Sequence, residues 1–207
     1  MIIDPRLILP SPRTGDTFEG FLFDCDGTLV DSMPVHFVAW NAGLRDAGAT
    51  YDLTEEDFYG WGGIHEADIV GMLNERHGAA VDPNAVIEHK AKHFAKEMAG
   101  LKPILPVTEF AASLHGKAAL AVVSGSPREH VAECLKVTGI NHLFTSIVTP
   151  EDVAPGRGKP HPDMFLLAAE QLGVEATKCV VFEDAKSGID GAEAAQMATV
   201  FVARDCR

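Results

Sequence analysis

A short apolar run, Gly20-Phe21-Leu22-Phe23, stops abruptly at two acids, Asp24 and Asp26. The run offers water no polar face, so it reads as a strand buried on both sides, as in a parallel sheet covered by helices. Similar runs recur at 118–123, 179–182 and 199–202, with a weaker one at 146–148. Segments with helical apolar spacing fill the intervals, at 107–115, 127–138, 162–172 and 188–195. Gly48, Gly78, Gly116, Gly139 and Gly173 each follow an apparent helix end, where a left-handed residue is wanted. This alternation predicts an α/β fold, an open parallel sheet with helices on both faces.

One block breaks the alternation. Between residues 33 and 100 the pattern gives helices, at 34–47, 66–77 and 83–98, and no convincing strand. Such a block reads as a helical cap inserted after the first strand. The expected division is a core of 1–32 with 101–207 and a cap of 33–100, with crossings near Ser32 and Lys102-Pro103. The first 18 or so residues carry Pro5, Pro10 and Pro12 and read as a tail or edge element.

A chain of 207 residues that is 46% hydrophobic can bury a core without disulfides or structural metal. Its net charge of -13 argues against a nucleic-acid partner and against anionic membrane surfaces. A small phosphate remains open to it if a cation and local donors sit in the site. Cys25, Cys134, Cys179 and Cys206 form no CxxC pair, so reduced thiols in a cytoplasmic protein are expected. No stretch is long and apolar enough to span a bilayer, and a signal peptide is not expected. The expected state is a monomer or small homo-oligomer.

The strand ends carry the chemistry. Ligands in open parallel sheets sit beyond the carboxyl ends of strands. The first strand runs into Asp24-Cys25-Asp26-Gly27-Thr28, the second into Ser124-Gly125, and the run at 179–182 into Glu183-Asp184. A loop after 146–148 carries Lys159-Pro160. Four carboxylates, a hydroxyl and a lysine therefore converge on one edge. Cys25 lies between two acids but, by strand alternation, is expected to point away from both.

These motifs, in this order, resemble the haloacid dehalogenase-like phosphatase superfamily, over nearly the whole chain. The matching segments are Asp24 to Ser32, Ser124, Lys159 and Glu183-Asp184. Within it, Cys179 to Ala185 and Gly158 to Asp163 look like the beta-phosphoglucomutase-like branch and its small sugar-phosphate phosphatases. The resemblance implies a Rossmann-like core with a helical cap and an aspartyl-phosphate formed on Asp24. It implies Mg²⁺ held by Asp24, the backbone carbonyl of Asp26 and Asp184, with Glu183 in or near the shell; hard oxygen donors suit that ion. Ser124 and Lys159 would hold the transferring phosphoryl oxygens, and the Gly27, Thr28 and Gly125 amides can donate to them. Asp26 would act as general acid and base, which favours phosphate esters over the other chemistries of the superfamily.

Cap assignments are weaker. His36 and Trp40 sit one helical turn apart and match a hinge histidine and an aromatic wall of that branch, although packing accounts for them equally well. Lys90 matches a cap lysine that reaches the site; the alternative is a solvated helix face beside Glu88, Lys92 and Lys96. Gly60-Trp61-Gly62-Gly63 reads as a flexible cap loop. His89 and His93 have the spacing of metal ligands but no third partner. The mutases carry a cap-loop arginine for a second phosphate, whereas Gly63-Ile64-His65-Glu66-Ala67-Asp68 has two acids and none. The expectation is hydrolysis of a small phosphorylated metabolite, a sugar or polyol phosphate. The alternatives are a hexose-phosphate mutase and, further off, a noncatalytic phosphate-binding module.

Overall fold

The computed structural model describes residues 9–10, 17–62 and 64–204. Most of the expected N-terminal tail, Gly63 of the cap loop and Cys206 lie outside the described residues. In chain order the elements are β1 (Gly20–Phe23), α1 (Met33–Asp46), α2 (Glu55–Gly60), α3 (Glu66–His77), α4 (Pro83–Glu97), α5 (Leu105–Leu114), β2 (Ala119–Val123), α6 (Arg128–Val137), β3 (Ser146–Val148), α7 (Asp163–Leu172), β4 (Cys179–Glu183), α8 (Lys186–Ala194) and β5 (Ala198–Phe201). Two differences from the sequence reading stand out. The short helix α2 escaped it, because one and a half turns carry no periodicity to detect. Helix α5 starts two residues early because Pro106 falls in its first turn, where a missing N–H does no harm. The five glycines expected at helix ends all have positive φ, between 61° and 89°.

The chain divides into two compact units, Met1–Asp31 with Leu101–Arg207, and Ser32–Gly100. The first is an α/β unit around a five-stranded parallel sheet in the order β3-β2-β1-β4-β5. The chain steps outward from β1 to β2 and β3, then crosses to the other side for β4 and β5. The order therefore reverses between β1 and β4, and that switch point is where such sheets open a crevice.

Both sheet faces are covered, which is why β1 needs no polar residue. Leu22 and its register neighbours Ala121 and Val181 pack under Met164, Phe165 and Ala168 of α7 and Ala192 of α8. The alternate residues face the other way. Phe23 stacks on its register partner Phe182, with centroids 4.7 Å apart, and Phe110 of α5 lies edge-on to Phe21 at 5.9 Å. Fully burying such side chains contributes roughly 1.5–3 kcal/mol each, so this sandwich is the main support of the strand ends above it.

The second unit contains α1 to α4. Its core joins Trp40, Leu44, Leu53, Phe58, Val70 and Leu73, among others. Helices α1 and α4 approach closely at Gly43, where a Cβ would stand only 2.8 Å from the backbone of Val86 and Lys90. Two asparagines fasten its loops. Asn41 exchanges two hydrogen bonds with the Leu53 backbone, at 2.7 and 3.1 Å, and Asn74 does the same for Val81, at 2.9 and 3.0 Å. Among the described residues no helix is long and apolar enough to cross a membrane.

Candidate active site

The two strands flanking the switch point deliver the acids. Asp24 follows β1, still tied to the sheet by its N–H, which donates to the Phe182 carbonyl at 2.9 Å. Glu183 is the last residue of β4, and Asp184 comes next. The chain after Asp24 curls at once: Gly27 takes φ +87°, its N–H donates to the Val30 carbonyl at 2.8 Å, and the Val30 N–H donates to the Cys25 carbonyl at 2.9 Å. A glycine suits this turn because φ is positive there. Ser124 follows β2, its N–H bonded to the Val148 carbonyl at 3.0 Å. Lys159 arrives on a loop closed by a forked ion pair, Arg157 to Asp163, with bonds of 2.9 and 2.6 Å.

Lys159 is the hub. Its Nζ donates to Asp24 Oδ1 at 2.7 Å and to Glu183 Oε2 at 3.1 Å, and all three side chains are buried. Carboxylate oxygens of Asp24, Glu183 and Asp184 lie within 4.8 Å of one another. One lysine thus bridges two acids, and a third acid lies beside them. Burial raises the pKa of Asp24, and the Lys159 charge only partly offsets it. Burial raises Glu183 well above the ordinary carboxylate range, and the neighbouring Asp24 pushes it further. Lys159 moves up too: burial works against its charge, but the two acids outweigh that. The Thr28 hydroxyl is also buried and finds no hydrogen-bond partner. Leaving such a group unmade costs about 1–3 kcal/mol, a cost that a bound oxyanion can remove.

Asp26 sits in a second network that the sequence reading missed. Ser126 Oγ donates to its Oδ2 at 2.7 Å, and His130 Nε2 lies 3.2 Å from its Oδ1. Burial disfavours the His130 imidazolium, but the bonds to Asp26 and Cys134 prevail and raise its pKa to about 10. Cys134, one turn further along α6, is 3.5 Å from the same nitrogen. Its thiol is lowered to about 6, chiefly by the Cys25 thiol, with burial opposing and His130 assisting. The signal was present as His130 and Cys134, spaced i, i+4 on the helix that follows Ser124.

The expectation that Cys25 points away from both acids is corrected here. Its sulfur belongs to a cluster with Asp26 and Cys134 whose ligand atoms lie within 4.8 Å of one another. Side chains alternate only while the chain is extended, and the strand ends at Phe23, so alternation no longer governs the turn. Cys25, Cys134 and Cys179 are free and buried.

The family model for haloacid dehalogenase-like hydrolases matches residues 18–196. The chain is a haloacid dehalogenase-like hydrolase. The fructose-1-phosphate phosphatase YqaB of Escherichia coli (strain K12) is 34% identical over 187 residues, which cover 90% of this hydrolase and 97% of the relative. A phosphorylated carbohydrates phosphatase of Thermotoga maritima is 31% identical over 190 residues, covering 88% and 84% of the two chains. The crystal structure of a HAD family hydrolase from Deinococcus radiodurans R1, with bound phosphate and sodium, superposes with a TM-score of 0.70 at 32% identity, covering 92% of this chain and 80% of that one.

The donor set of the hydrolase fits a divalent cation. Asp24, Glu183 and Asp184 offer hard oxygens, and burial has raised the pKa of the first two, so a cation there relieves their crowding. The carboxyl of Glu183 is held from behind by Gly188, where any Cβ would overlap it.

The residues proposed for the helical unit all have local partners. Trp40 is a core residue of that unit, and the His36 ring stacks on Phe94 at 4.2 Å. Lys90 is not on a solvated face: it ion-pairs with Glu66 and lies 5.0 Å from the centre of the Trp40 ring. Glu66, one of the two acids of the segment that lacks the mutases' arginine, is therefore paired with a lysine. Gly60 ends helix α2 instead of opening a loop, and Trp61 and Gly62 form the turn after it. His93 pairs with Asp46 at 2.7 Å, which accounts for it without a metal.

Proposed function

We propose that this hydrolase removes phosphate from a small sugar or polyol phosphate monoester through an aspartyl-phosphate on Asp24. The observation that carries the reading is the buried Lys159, which joins Asp24 to Glu183 at the switch point of the sheet. A nucleophilic carboxylate needs a cationic neighbour, because the phosphoryl group it attacks is itself anionic. The activities for which the relatives are named, on fructose 1-phosphate and on phosphorylated carbohydrates, support the substrate class.

In this reading Asp24 attacks phosphorus, a P–O bond forms to its carboxylate, and the bond to the sugar oxygen breaks. Asp26, protonated, gives its proton to that oxygen, so the sugar leaves as an alcohol. Asp26, now ionised, takes a proton from water as the water attacks phosphorus, which frees Asp24 and inorganic phosphate. Ser124, Lys159 and the Gly125 amide hold the phosphoryl oxygens through both steps; the Gly27 and Thr28 amides, expected from the sequence to help, instead donate to the Val30 and Cys25 carbonyls at 2.8 and 3.4 Å. Asp24, the Asp26 carbonyl and Asp184, with Glu183 in or beside the shell, would hold Mg²⁺, which would supply charge neutralisation for the transferring group.

The test is phosphate release from purified protein with fructose 1-phosphate, glucose 6-phosphate and a hexitol phosphate, with Mg²⁺ and with chelator. Release from a monophosphate that needs the metal and disappears in Asp24→Asn is expected. Isomerisation of a hexose phosphate that depends on added bisphosphate would instead make the protein a mutase.

A further inference from the structure

The phosphatase reading gives Asp26 two proton transfers, first to the leaving oxygen and then from water. A carboxyl that does both must be aimed, because a misplacement of about 1 Å costs on the order of 10²-fold in rate. Asp26 stands beyond the end of β1, in a turn where the sheet no longer fixes side chains. Two groups from the segment after β2 take over that task. Ser126 Oγ holds Oδ2 at 2.7 Å, and His130 Nε2 meets Oδ1 at 3.2 Å. Once Asp26 is ionised it only accepts, and Nε2 then carries the proton of the second bond.

Both holders are themselves held. The Ser126 N–H donates to Ser124 Oγ at 3.1 Å, so the loop that presents the phosphate-side hydroxyl also presents the hydroxyl that grips the acid. His130 lies in the first turn of α6, and Cys134 meets its Nε2 from the next turn at 3.5 Å. The imidazole is mostly shielded, with 16% of its side-chain surface exposed. The position of the acid is thereby tied to the position of the phosphoryl group.

We propose that Ser126 and His130 are positioning residues for Asp26, fixing both carboxyl oxygens so that it can protonate the leaving oxygen and then activate water. The inference rests on the phosphatase reading and goes beyond it. It predicts a defect in the chemical step and not in substrate or metal binding.

The experiment compares His130→Ala, His130→Gln, Ser126→Ala and Asp26→Ala with wild type, each first checked for folding by its thermal melt. Substrates are fructose 1-phosphate, whose leaving group needs a proton, and p-nitrophenyl phosphate, whose leaving group does not. The constant kcat/KM reports formation of the phosphoenzyme. For His130→Ala and Ser126→Ala it should fall roughly 10- to 100-fold on the sugar phosphate. It should fall several-fold less on the aryl ester, with KM nearly unchanged. His130→Gln keeps a neutral N–H donor and should recover most of the loss. Equal losses on the two esters, a change confined to KM, or no rescue by glutamine in a folded protein would overturn the proposal. Asp26→Ala separates the two levels of inference. If it also leaves the ratio of the two esters unchanged, or if wild type releases no phosphate, the reading of Asp26 falls and the proposal falls with it. If it changes the ratio and His130→Ala does not, only the positioning role falls.

Discussion

The strand ends of the α/β unit and the asparagine-tied loops of the helical unit treat their buried polar groups differently. In the helical unit three such groups have close partners: Asn41 closes on the Leu53 backbone, Asn74 on Val81, and Lys90 on Glu66. The strand ends of the α/β unit are less well matched. Asp24 and Glu183 share one lysine, both are raised by burial, and the Thr28 hydroxyl finds no partner. A matched buried group stabilises a fold, whereas an unmatched one is tolerated where it serves a ligand. The imbalance thus marks the site more sharply than any single residue does.

The largest expected effect comes from removing the nucleophile, which tests the unmatched side directly. Asp24→Asn should reduce phosphate release to background, out of the 10⁶-fold or greater acceleration typical of enzymes. Its melting temperature should hold or rise, since one of three crowded charges is gone. A variant that melts well below wild type would mean that Asp24 serves the fold, and the contrast between the units would dissolve.

Gly188→Ala should come next. Its methyl group meets the Glu183 carboxyl, and overpacking of this kind typically costs about 1–3 kcal/mol. Glu183 would be displaced from Lys159, so activity and melting temperature should fall together. Retained activity with an unchanged melt would show that the carboxyl moves aside freely.

Asn41→Ala probes the matched side. It leaves the Leu53 N–H and carbonyl without their side-chain partner in a buried setting, a loss of about 1–3 kcal/mol. The melting temperature should drop, while kcat on p-nitrophenyl phosphate at 25 °C stays within about twofold of wild type. A rate loss in a protein still fully folded at that temperature would show that these bonds serve catalysis as well. The smallest effect is expected from Glu88→Gln, which removes an exposed i, i+4 pair with Lys92. No measurable change in melt or rate is anticipated, and a clear shift would show that the solvated face of α4 carries more than a surface ion pair.

The two units also differed in how well they could be read. The strands declared themselves because burial on both faces removes polar residues from the run, as in Leu22 and Phe23. The glycine caps declared themselves because a positive φ excludes most other residues. The six-residue α2 was too short for periodicity to show. The partner of Lys90 was hidden because Glu66 lies 24 positions away and on another helix.

The sequence by itself determined the α/β class and the acids at the strand ends, because these rest on local patterns of burial and on order along the chain. Resemblance then attached a chemistry to those acids. Tertiary structure alone decided which groups touch. Asp26 lies 100 residues from Ser126 and 104 from His130, and no local spacing connects them. Cys25 joined that cluster because the strand ended one residue before Asp24 and the turn set a new direction. Distances between segments are set by the packing of the sheet and its helices, and a one-dimensional pattern does not contain them.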